Sequence, residues 1–234
     1  DGTARSAAAA VLGTRTALGI LPLGTINRLA RDLGIPIDHK AAVETLAASR
    51  VQAIDTADVN GRLFLCNAML GLTTRFSSVR QELRGKTCKE RIRGYMVAVG
   101  NLLRSRRRMR INVHDGNLRR RLRVLSLAVT NNVYAEEPSL TMRRQDLAGG
   151  VLAVYASQHE RGWRMAVAAV RALLGKLRAD GNVVRLVAPT FTIDVRGRRS
   201  VSISIDGEVE KLATPLVFSI RPQALNVLVP SETR

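Results

Sequence analysis

The sequence predicts an α/β segment over about the first 54 residues, followed by a mostly antiparallel β domain. Helix-forming stretches alternate with a short apolar strand before residue 50, which is typical of α/β chains. From about Val51, β-rich runs are separated by Gly-containing turns, which is typical of hairpins. Hydrophobic residues make up 46% of the 234 residues and aromatic residues only 3%, so the core must be built mainly of aliphatic side chains.

The first segment contains three predicted helices and one predicted strand. Residues 4–12 are strong helix formers that end at Gly13, and residues 17–21 predict a buried strand. Residues 27–33 predict a short helix that Gly34 and Pro36 terminate, and residues 41–48 predict another. This order of elements is what indicates βα alternation.

Turn signals and two amphipathic helices organise the rest of the chain. Hairpins are predicted at Asn60-Gly61, at Asp115-Gly116-Asn117 and at Arg196-Gly197-Arg198. Residues 224–229 predict closing strands that return toward the first segment. Two sets of apolar residues recur at the three-and-four spacing of one helical face: Ile92, Tyr95, Met96, Val99, Leu102 and Leu103, and Trp163, Ala166, Val167, Val170, Leu173, Leu174 and Leu177.

The net charge of +18 is confined to one part of the chain. Residues 1–60 hold six basic and six acidic residues, whereas residues 84–123 hold 14 basic residues against Glu90 and Asp115. A field of this sign attracts polyanions, and each basic group near an anionic lipid surface contributes about 1 kcal/mol. A solvated basic face and an anionic membrane surface both remain open. Nucleic acid is disfavoured, because the sequence has no zinc-ligand spacing, no helix-turn-helix motif and few aromatic residues that could stack on bases.

The spacing of the cysteines argues against a metal or redox site, and the length of the apolar runs argues against a membrane-spanning helix. Cys66 and Cys88 have no metal-ligand or redox spacing, so each is predicted to be a buried thiol, which is compatible with a reducing cytosol. No apolar run approaches the roughly 18 residues that a membrane-spanning helix needs.

Two stretches predict phosphate binding. Residues 19–30 read GILPLGTINRLA, and the chain begins with Asp1-Gly2-Thr3. Both place Gly and Thr where a strand gives way to a helix, so that free backbone N–H groups and the positive helix end can hold a phosphate. An ordinary strand-to-helix turn is the alternative interpretation of such short motifs.

The wording LGILPLGTxN, followed by LA-R, resembles the nucleotide-binding segment of the diacylglycerol kinase catalytic-domain family. That family includes bacterial lipid kinases and, more distantly, sphingosine and ceramide kinases. Its Gly-Gly-Asp-Gly-Thr loop lies upstream of the PLGT loop, where Asp1, Gly2 and Thr3 stand here, so its two leading glycines would precede residue 1. Residues 204–208, SIDGE, resemble the carboxylate-bearing DGE turn of the family.

The resemblance implies a two-domain architecture with a cleft between the domains. Residues 1–54 would form the C-terminal part of a Rossmann-like ATP-binding domain that lacks its first strands here. Residues 55–221 would form an antiparallel β-sandwich, and residues 222–234 a closing strand and tail. An open edge at residues 17–21 would allow a homodimer through strand pairing.

The resemblance also implies an ATP site, with Mg²⁺ bridging the phosphate oxygens. The residues that would line it are Asp1, Gly2, Thr3, Gly24, Thr25 and Asn27. The glycine backbones would approach the phosphates and the threonine hydroxyls would bond to them, while a helix N-cap is the alternative role for Asn27. Bacterial members usually follow that asparagine with aspartate, whereas this chain has Arg28, which points to a changed metal arrangement or an extra cationic contact.

A lipid hydroxyl that attacks a phosphoryl group must lose a proton, so a nearby carboxylate is the natural general base. Asp206 and Glu208 of the DGE turn are the candidates. Glu208 is preferred because its longer side chain reaches further, which leaves Asp206 to orient it or to hold the turn. An exposed acidic β-turn is the alternative.

A second metal site of the bacterial branch is weakened in this chain. Its DDGLLDV-like segment matches residues 146–151, where Gly149 replaces the key carboxylate and Asp146 alone can supply an oxygen. A divalent cation bound there would be held weakly. His39, His114 and His159 have no companion ligands in the sequence, which favours surface or core roles.

These observations together predict an ATP-dependent lipid kinase at the cytoplasmic membrane surface. Its acceptor would be the hydroxyl of diacylglycerol or a similar lipid. One alternative is an NAD kinase-type enzyme, which shares the glycine-rich loop. Another is a degenerate, non-catalytic member that binds membrane or protein, which Arg28 and Gly149 keep open.

Overall fold

The computed structural model describes residues 2–24, 26–83, 85–116, 118–135, 142–144, 146–174 and 180–231. Within these ranges, six helices are formed: α1 (Gly2–Val11), α2 (Arg28–Asp32), α3 (His39–Ala47), α4 (Leu72–Glu82), α5 (Cys88–Arg104) and α6 (Gly162–Leu173). The same ranges contain twelve strands: β1 (Ser49–Val59), β2 (Arg62–Phe64), β3 (Asn67–Gly71), β4 (Met109–His114), β5 (Arg119–Val124), β6 (Ser126–Asn131), β7 (Leu152–Ser157), β8 (Val183–Ala188), β9 (Thr190–Val195), β10 (Ser200–Ile205), β11 (Glu208–Ala213) and β12 (Leu216–Pro230). None of the described helices is long and apolar enough to cross a bilayer.

The three helices predicted for the first segment are confirmed. The chain leaves α1 and α2 through Gly13 and Gly34, both with a φ of 74°, a left-handed conformation that glycine adopts without strain. At the start of α3, the Asp38 side chain accepts a hydrogen bond of 2.9 Å from the Ala41 N–H, which is an N-cap.

Two six-stranded antiparallel sheets pack face to face and form the β-sandwich that was predicted. Their strand orders are β2-β1-β12-β9-β4-β5 and β11-β10-β3-β6-β7-β8. The inner faces share one hydrophobic core, in which Phe64, Phe191 and Phe218 are the largest fully buried side chains. The predicted mixture of α/β and mostly β structure is therefore confirmed.

A second hydrophobic core joins the first segment to the sandwich. Ala8, Ile20 and Leu29 pack there with Leu225 and Val227 of β12. The closing strand thus returns to the first segment as predicted, but as part of one continuous β12. Both predicted boundaries, at residues 54/55 and 221/222, fall inside strands, because β1 and β12 run through both cores.

The strand predicted at residues 17–21 is reduced to one parallel bridge between Leu18 and Val227. Leu18 donates to the carbonyl of Asn226 at 2.9 Å and accepts from Leu228 at 3.0 Å. Only residues 216–219, at the start of β12, pair with β9. Residues 17–21 lie beside the later part of β12, through the bridge between Leu18 and Val227.

One of the three predicted hairpins is wrong. Asn60-Gly61 joins β1 to β2 and Asp115-Gly116 lies between β4 and β5, both within one sheet, while Asn117 lies outside the described residues. Arg196-Gly197-Arg198, however, joins β9 of one sheet to β10 of the other. A glycine turn has the same local signature whether the next strand pairs back or crosses the core. The predicted DGE turn at Asp206-Gly207 is a hairpin that joins β10 to β11.

The two amphipathic helices are confirmed as α5 and α6, with Leu177 outside the described residues. The sequence analysis did not predict α4, whose composition is mostly polar. This helix packs on β3, β10 and β11, and α5 and α6 follow it outward in turn.

Candidate active site

The fold brings the first residues of the chain to the DGE turn. An ideal Cβ on Gly2 would overlap Oε1 of Glu208, so glycine at this position is what lets the carboxylate lie against the start of α1. Arg5, one turn further along α1, binds Oε2 of Glu208 at 2.8 Å and Oε1 of Glu210 at 2.9 Å. Two motifs that lie about 200 residues apart in the sequence therefore meet.

Glu208 is held but not enclosed. Its side chain is 37% exposed, and the positive end of α1 and Arg5 both attract the carboxylate. A carboxylate that is positioned on one side and open to solvent on the other can receive a proton from an incoming hydroxyl. Thr3, in the first turn of the same helix, is exposed.

Asp206 has a different role from Glu208. Its backbone is left-handed, with a φ of 47°, and its side chain is buried. Its two carboxylate oxygens accept three backbone N–H hydrogen bonds of 2.7, 2.9 and 3.0 Å, from Leu65, Cys66 and Asn67. Asp206 therefore ties the DGE turn to segment 65–67 and leaves Glu208 as the accessible acid.

Segment 65–67 is also bound from the other side by a buried ion pair. Arg144 contacts Asp32 of α2 at 2.8 Å, with both side chains at most 2% exposed. The same guanidinium donates to the carbonyls of Leu65 at 2.7 Å and Asn131 at 3.2 Å. The helix after the PLGT loop is thereby fixed to the segment that Asp206 holds. The sequence did not single out Arg144 or Asp32.

The surroundings of segment 65–67 raise the pKa values of two side chains, Cys66 and Arg144. Burial raises the pKa of the Cys66 thiol to about 12. Burial lowers the pKa of the Arg144 guanidinium, but interactions with Cys66 and Asp32 raise it by more, so the net shift is upward. The prediction that Cys66 is a buried thiol is confirmed, whereas the Cys88 side chain lies outside the description.

We expect Cys66 to be inert in the folded protein. With a pKa of about 12, roughly one thiol in 10⁴ is ionised at pH 8, and thiolate is the reactive form. In a Cys88→Ser variant, Ellman's reagent should therefore label Cys66 only after denaturant is added. Stoichiometric labelling of the native variant within minutes would contradict the burial of this thiol.

The PLGT loop is organised by Asn27. This residue is buried and left-handed, with a φ of 52°. Its Oδ1 accepts from the Gly24 N–H at 2.7 Å, and its Nδ2 donates to the Pro22 carbonyl at 3.0 Å. Asn27 thus occupies the N-cap position of α2 without capping it, and the side chain instead fixes the loop shape. Asp1 and Thr25 lie outside the described residues, so their predicted contacts with ATP stay predictions.

Arg28 reaches across to the sandwich. Its Nη1 donates to the Tyr134 hydroxyl at 2.9 Å, and its guanidinium lies 5.6 Å from the centre of that ring. Tyr134 in turn stacks on Tyr155, with ring centres 5.2 Å apart. The residue that replaces an acid at this position therefore fastens α2 to the β domain.

Asp55 is a buried polar residue that the sequence analysis missed. Its Oδ1 accepts from the Gln223 N–H at 2.8 Å, and its Oδ2 accepts from the Asn132 amide at 2.9 Å and the Gly150 N–H at 2.7 Å. The register of β1 against β12 shifts at this point. An acid inside the apolar stretch of β1 was the available signal, because a buried carboxylate must find donors.

The residues around Asp146 do not fit a tightly bound divalent cation. Asp146 Oδ1 accepts from the Ala148 N–H at 2.8 Å. The place of a Gly149 side chain lies 3.0 Å from Asn132 Oδ1 and 3.6 Å from Asp146 Oδ2, so the missing carboxylate leaves one acid and one amide. Within the described ranges, no three His, Cys, Asp or Glu side chains gather as metal ligands.

His159 has partners that the sequence did not reveal. Its Nε2 lies 3.2 Å from Asp180 Oδ2, and its Nδ1 lies 2.9 Å from Ser157 Oγ. His159 is only 4% exposed, and Asp180 is buried as well. This geometry agrees with a core role, one of the two roles that the sequence favoured.

Comparison with known proteins agrees with these features. Residues 1–59 match the family model of the diacylglycerol kinase catalytic domain. A Pseudomonas putida protein named "probable lipid kinase YegS-like" is 26% identical over 99% of this chain and 75% of its own length. A Pseudomonas aeruginosa protein of the same name is 40% identical over 35% of this chain and 28% of its own length.

The fold is also shared with a solved structure. A crystal structure of a diacylglycerol kinase from Bacillus anthracis superposes with a TM-score of 0.65 at 17% identity, covering 95% of this chain and 70% of that one. The family model, relatives that align along nearly the whole chain and the shared fold all agree with the motifs in the sequence. The chain is therefore a kinase whose residues 1–59 match the diacylglycerol kinase catalytic domain and which is similar to lipid kinases along nearly its whole length.

Proposed function

We propose that the protein transfers the γ-phosphoryl group of ATP to the hydroxyl of diacylglycerol or a similar lipid. The observation that carries this proposal is the contact between Gly2 and Glu208. It places a predicted phosphate-binding segment beside an accessible carboxylate, and phosphoryl transfer needs those two elements next to each other.

The start of α1 suits a nucleotide phosphate. The helix has ten residues, so its first N–H groups and its dipole present positive charge, and Gly2 permits close approach of the backbone. When bound, ATP with Mg²⁺ supplies the transferable phosphoryl group. Arg5 orients Glu208, which accepts the proton that the lipid hydroxyl releases as its oxygen attacks.

The lipid acceptor places the reaction at a membrane surface, so the proposal makes the protein a peripheral enzyme of an anionic bilayer. The basic stretch over residues 84–123 supports this, because its charge is complementary to such a bilayer. Nucleic acid is the competing partner for the basic stretch, and a second copy of the chain is the competing partner for the edge at residues 17–21.

The acceptor is tested with a panel of lipids. The protein is incubated with γ-labelled ATP and, in separate mixed micelles, with diacylglycerol, ceramide and sphingosine. We expect label to appear in the organic phase with diacylglycerol or a close analogue. Label in none of the lipids, with NAD phosphorylated instead, would replace this proposal by the NAD kinase-type alternative.

Thr25→Val should weaken ATP binding, because valine keeps the shape of threonine and removes the hydroxyl predicted to bond to phosphate. Loss of one hydrogen bond to a charged group costs about 1.5–3 kcal/mol, which is roughly a 10- to 150-fold rise in Kd. Isothermal titration of the variant with ATP measures it, with Thr45→Val on α3 as the control. Equal affinities in the two variants would rule out the contact.

A further inference from the structure

Helices α5 and α6 expose large apolar side chains in the same geometric pattern. The two sets lie at positions separated by four, three and four residues, which places each set on one narrow stripe. All eight side chains are between 36% and 65% exposed. These apolar stripes consist of Ile92, Met96, Val99 and Leu103 on α5, and of Trp163, Val167, Val170 and Leu174 at the C-cap of α6.

On both helices, small residues lie on the face opposite the apolar stripe, and the stripe itself is exposed. On α6 the buried residues are Gly162, Ala168 and Ala172, and Ala168 and Ala172 lie on the face opposite the stripe. On α5, Gly94 and Ala98 are half-buried, whereas Met96 and Val99 point outward. A helix that only packs on its own domain places its large apolar residues inward. An exposed apolar surface of this kind indicates a binding partner.

A cluster of arginines lies beside the stripe of α6. A cavity of about 670 Å³ is lined by Arg108, Arg121, Arg123 and Arg164 together with His159. Within the described residues, Arg108 approaches Glu160 at 3.8 Å, and no carboxylate lies within 4 Å of the other three arginines. Arg164 belongs both to this arginine cavity and to α6, one position after Trp163. Positive charge and apolar surface are therefore adjacent, and the Arg164 guanidinium lies 5.5 Å from the centre of the Trp163 ring.

The same helices are connected to the candidate active site through α4. Ser77 of α4 and Ser204 of β10 form a hydrogen bond of 3.0 Å between their hydroxyl oxygens, two residues before Asp206. Helix α5 contacts α4, and α6 contacts α5. A partner bound to α5 and α6 would therefore be connected through α4 to β10, the strand that leads into the DGE turn.

We propose that the apolar stripes and the arginine cavity form a docking surface for an anionic phospholipid bilayer. The stripes enter the boundary between headgroups and acyl chains, and the arginines bind headgroup phosphates. The role of this docking rests on the proposed lipid kinase function. Charge argues against the other occupants, because a second copy would bring two basic surfaces together, and nucleic acid would leave the apolar stripes exposed.

Vesicle binding tests the surface with matched variants. Val167→Ser/Val170→Ser alters the stripe, and Arg121→Gln/Arg123→Gln alters the cavity. Val43→Ser/Val51→Ser and Arg198→Gln/Arg199→Gln make the same changes at exposed positions elsewhere. Each protein is sedimented with vesicles of equal parts phosphatidylglycerol and phosphatidylcholine, and with pure phosphatidylcholine vesicles. Analytical ultracentrifugation reports the oligomeric state.

We expect the wild-type protein to bind the anionic vesicles. The stripe variant should bind at least tenfold more weakly, and the cavity variant about fivefold more weakly for each arginine removed. Both control variants should stay within twofold of wild type. The proposal is overturned if the controls lose binding equally, if the stripe variant binds normally, or if the stripe variant merely dissociates a dimer that does not bind vesicles.

Activity on a soluble substrate separates this proposal from the proposed function. With a short-chain diacylglycerol below its micellar concentration, all four variants should phosphorylate at the wild-type rate. No phosphorylation by the wild-type protein would overturn the kinase function while leaving the vesicle result intact. Normal phosphorylation without vesicle binding would overturn the docking surface alone.

Discussion

Glu208→Gln should lower kcat for lipid phosphorylation by about 10²- to 10⁴-fold, which is the usual effect of removing a general base. Glutamine preserves the shape beside Gly2 but cannot accept the proton of the hydroxyl. Nucleotide affinity should stay within a few-fold of wild type, because the carboxylate acts on the acceptor. Initial rates with saturating lipid, together with ATP titration, measure both quantities.

Asp206→Asn separates the two acids of the DGE turn. An asparagine amide would face N–H donors that the carboxylate now satisfies, so we expect a loss of stability of about 2 kcal/mol or more. Its effect should thus appear in thermal unfolding, whereas Glu208→Gln should unfold near the wild-type Tm. If both variants phosphorylate lipid at nearly wild-type rates, the DGE turn does not contain the base.

Arg144→Met should lower the free energy of unfolding by about 3–5 kcal/mol, since it leaves Asp32 as an uncompensated buried charge. The variant also leaves the carbonyls of Leu65 and Asn131 without this donor. Urea denaturation followed by circular dichroism measures the change. Adding Asp32→Leu to the variant should restore part of the loss, because the unpaired charge is then removed.

Arg221→Met is the matched control for this prediction. Arg221 pairs with Asp58 at 3.2 Å, but its side chain is 50% exposed. An exposed pair contributes about 0–1 kcal/mol, so the control should unfold close to wild type. Similar losses for Arg144→Met and Arg221→Met would mean that the Arg144 pair is not the connection that holds α2 to the sandwich.

Local signals made the helices and the motifs predictable. Gly13 and Gly34 end helices because the chain needs a left-handed residue there, and this requirement is visible in the sequence. The PLGT and DGE wording carried the family resemblance. The preference for Glu208 over Asp206 rested on side-chain length alone, and the hydrogen bonds of Asp206 to segment 65–67 now supply an independent reason.

The remaining features depend on contacts between distant parts of the chain. Arg144 pairs with a residue 112 positions away, and Asp206 binds backbone about 140 positions away, so no local pattern could reveal either. The turn at Arg196-Gly197-Arg198 has the local sequence of a hairpin. Whether the next strand joins the same sheet or the opposite one depends on the packing of the whole sandwich. The apolar spacing of α5 and α6 predicted helices but not that their large residues face outward, since periodicity carries no direction.

The position of the label in the product tests the central claim most directly. The protein is incubated with diacylglycerol and with ATP that is labelled either at the γ-phosphate or at the α-phosphate. We predict that γ-labelled ATP alone yields a labelled phospholipid, identified by mass spectrometry as the monophosphorylated acceptor, and that Glu208→Gln lowers its yield by about a hundredfold or more. Labelled lipid from α-labelled ATP, or equal labelling by Glu208→Gln and wild type, would contradict phosphoryl transfer at this site.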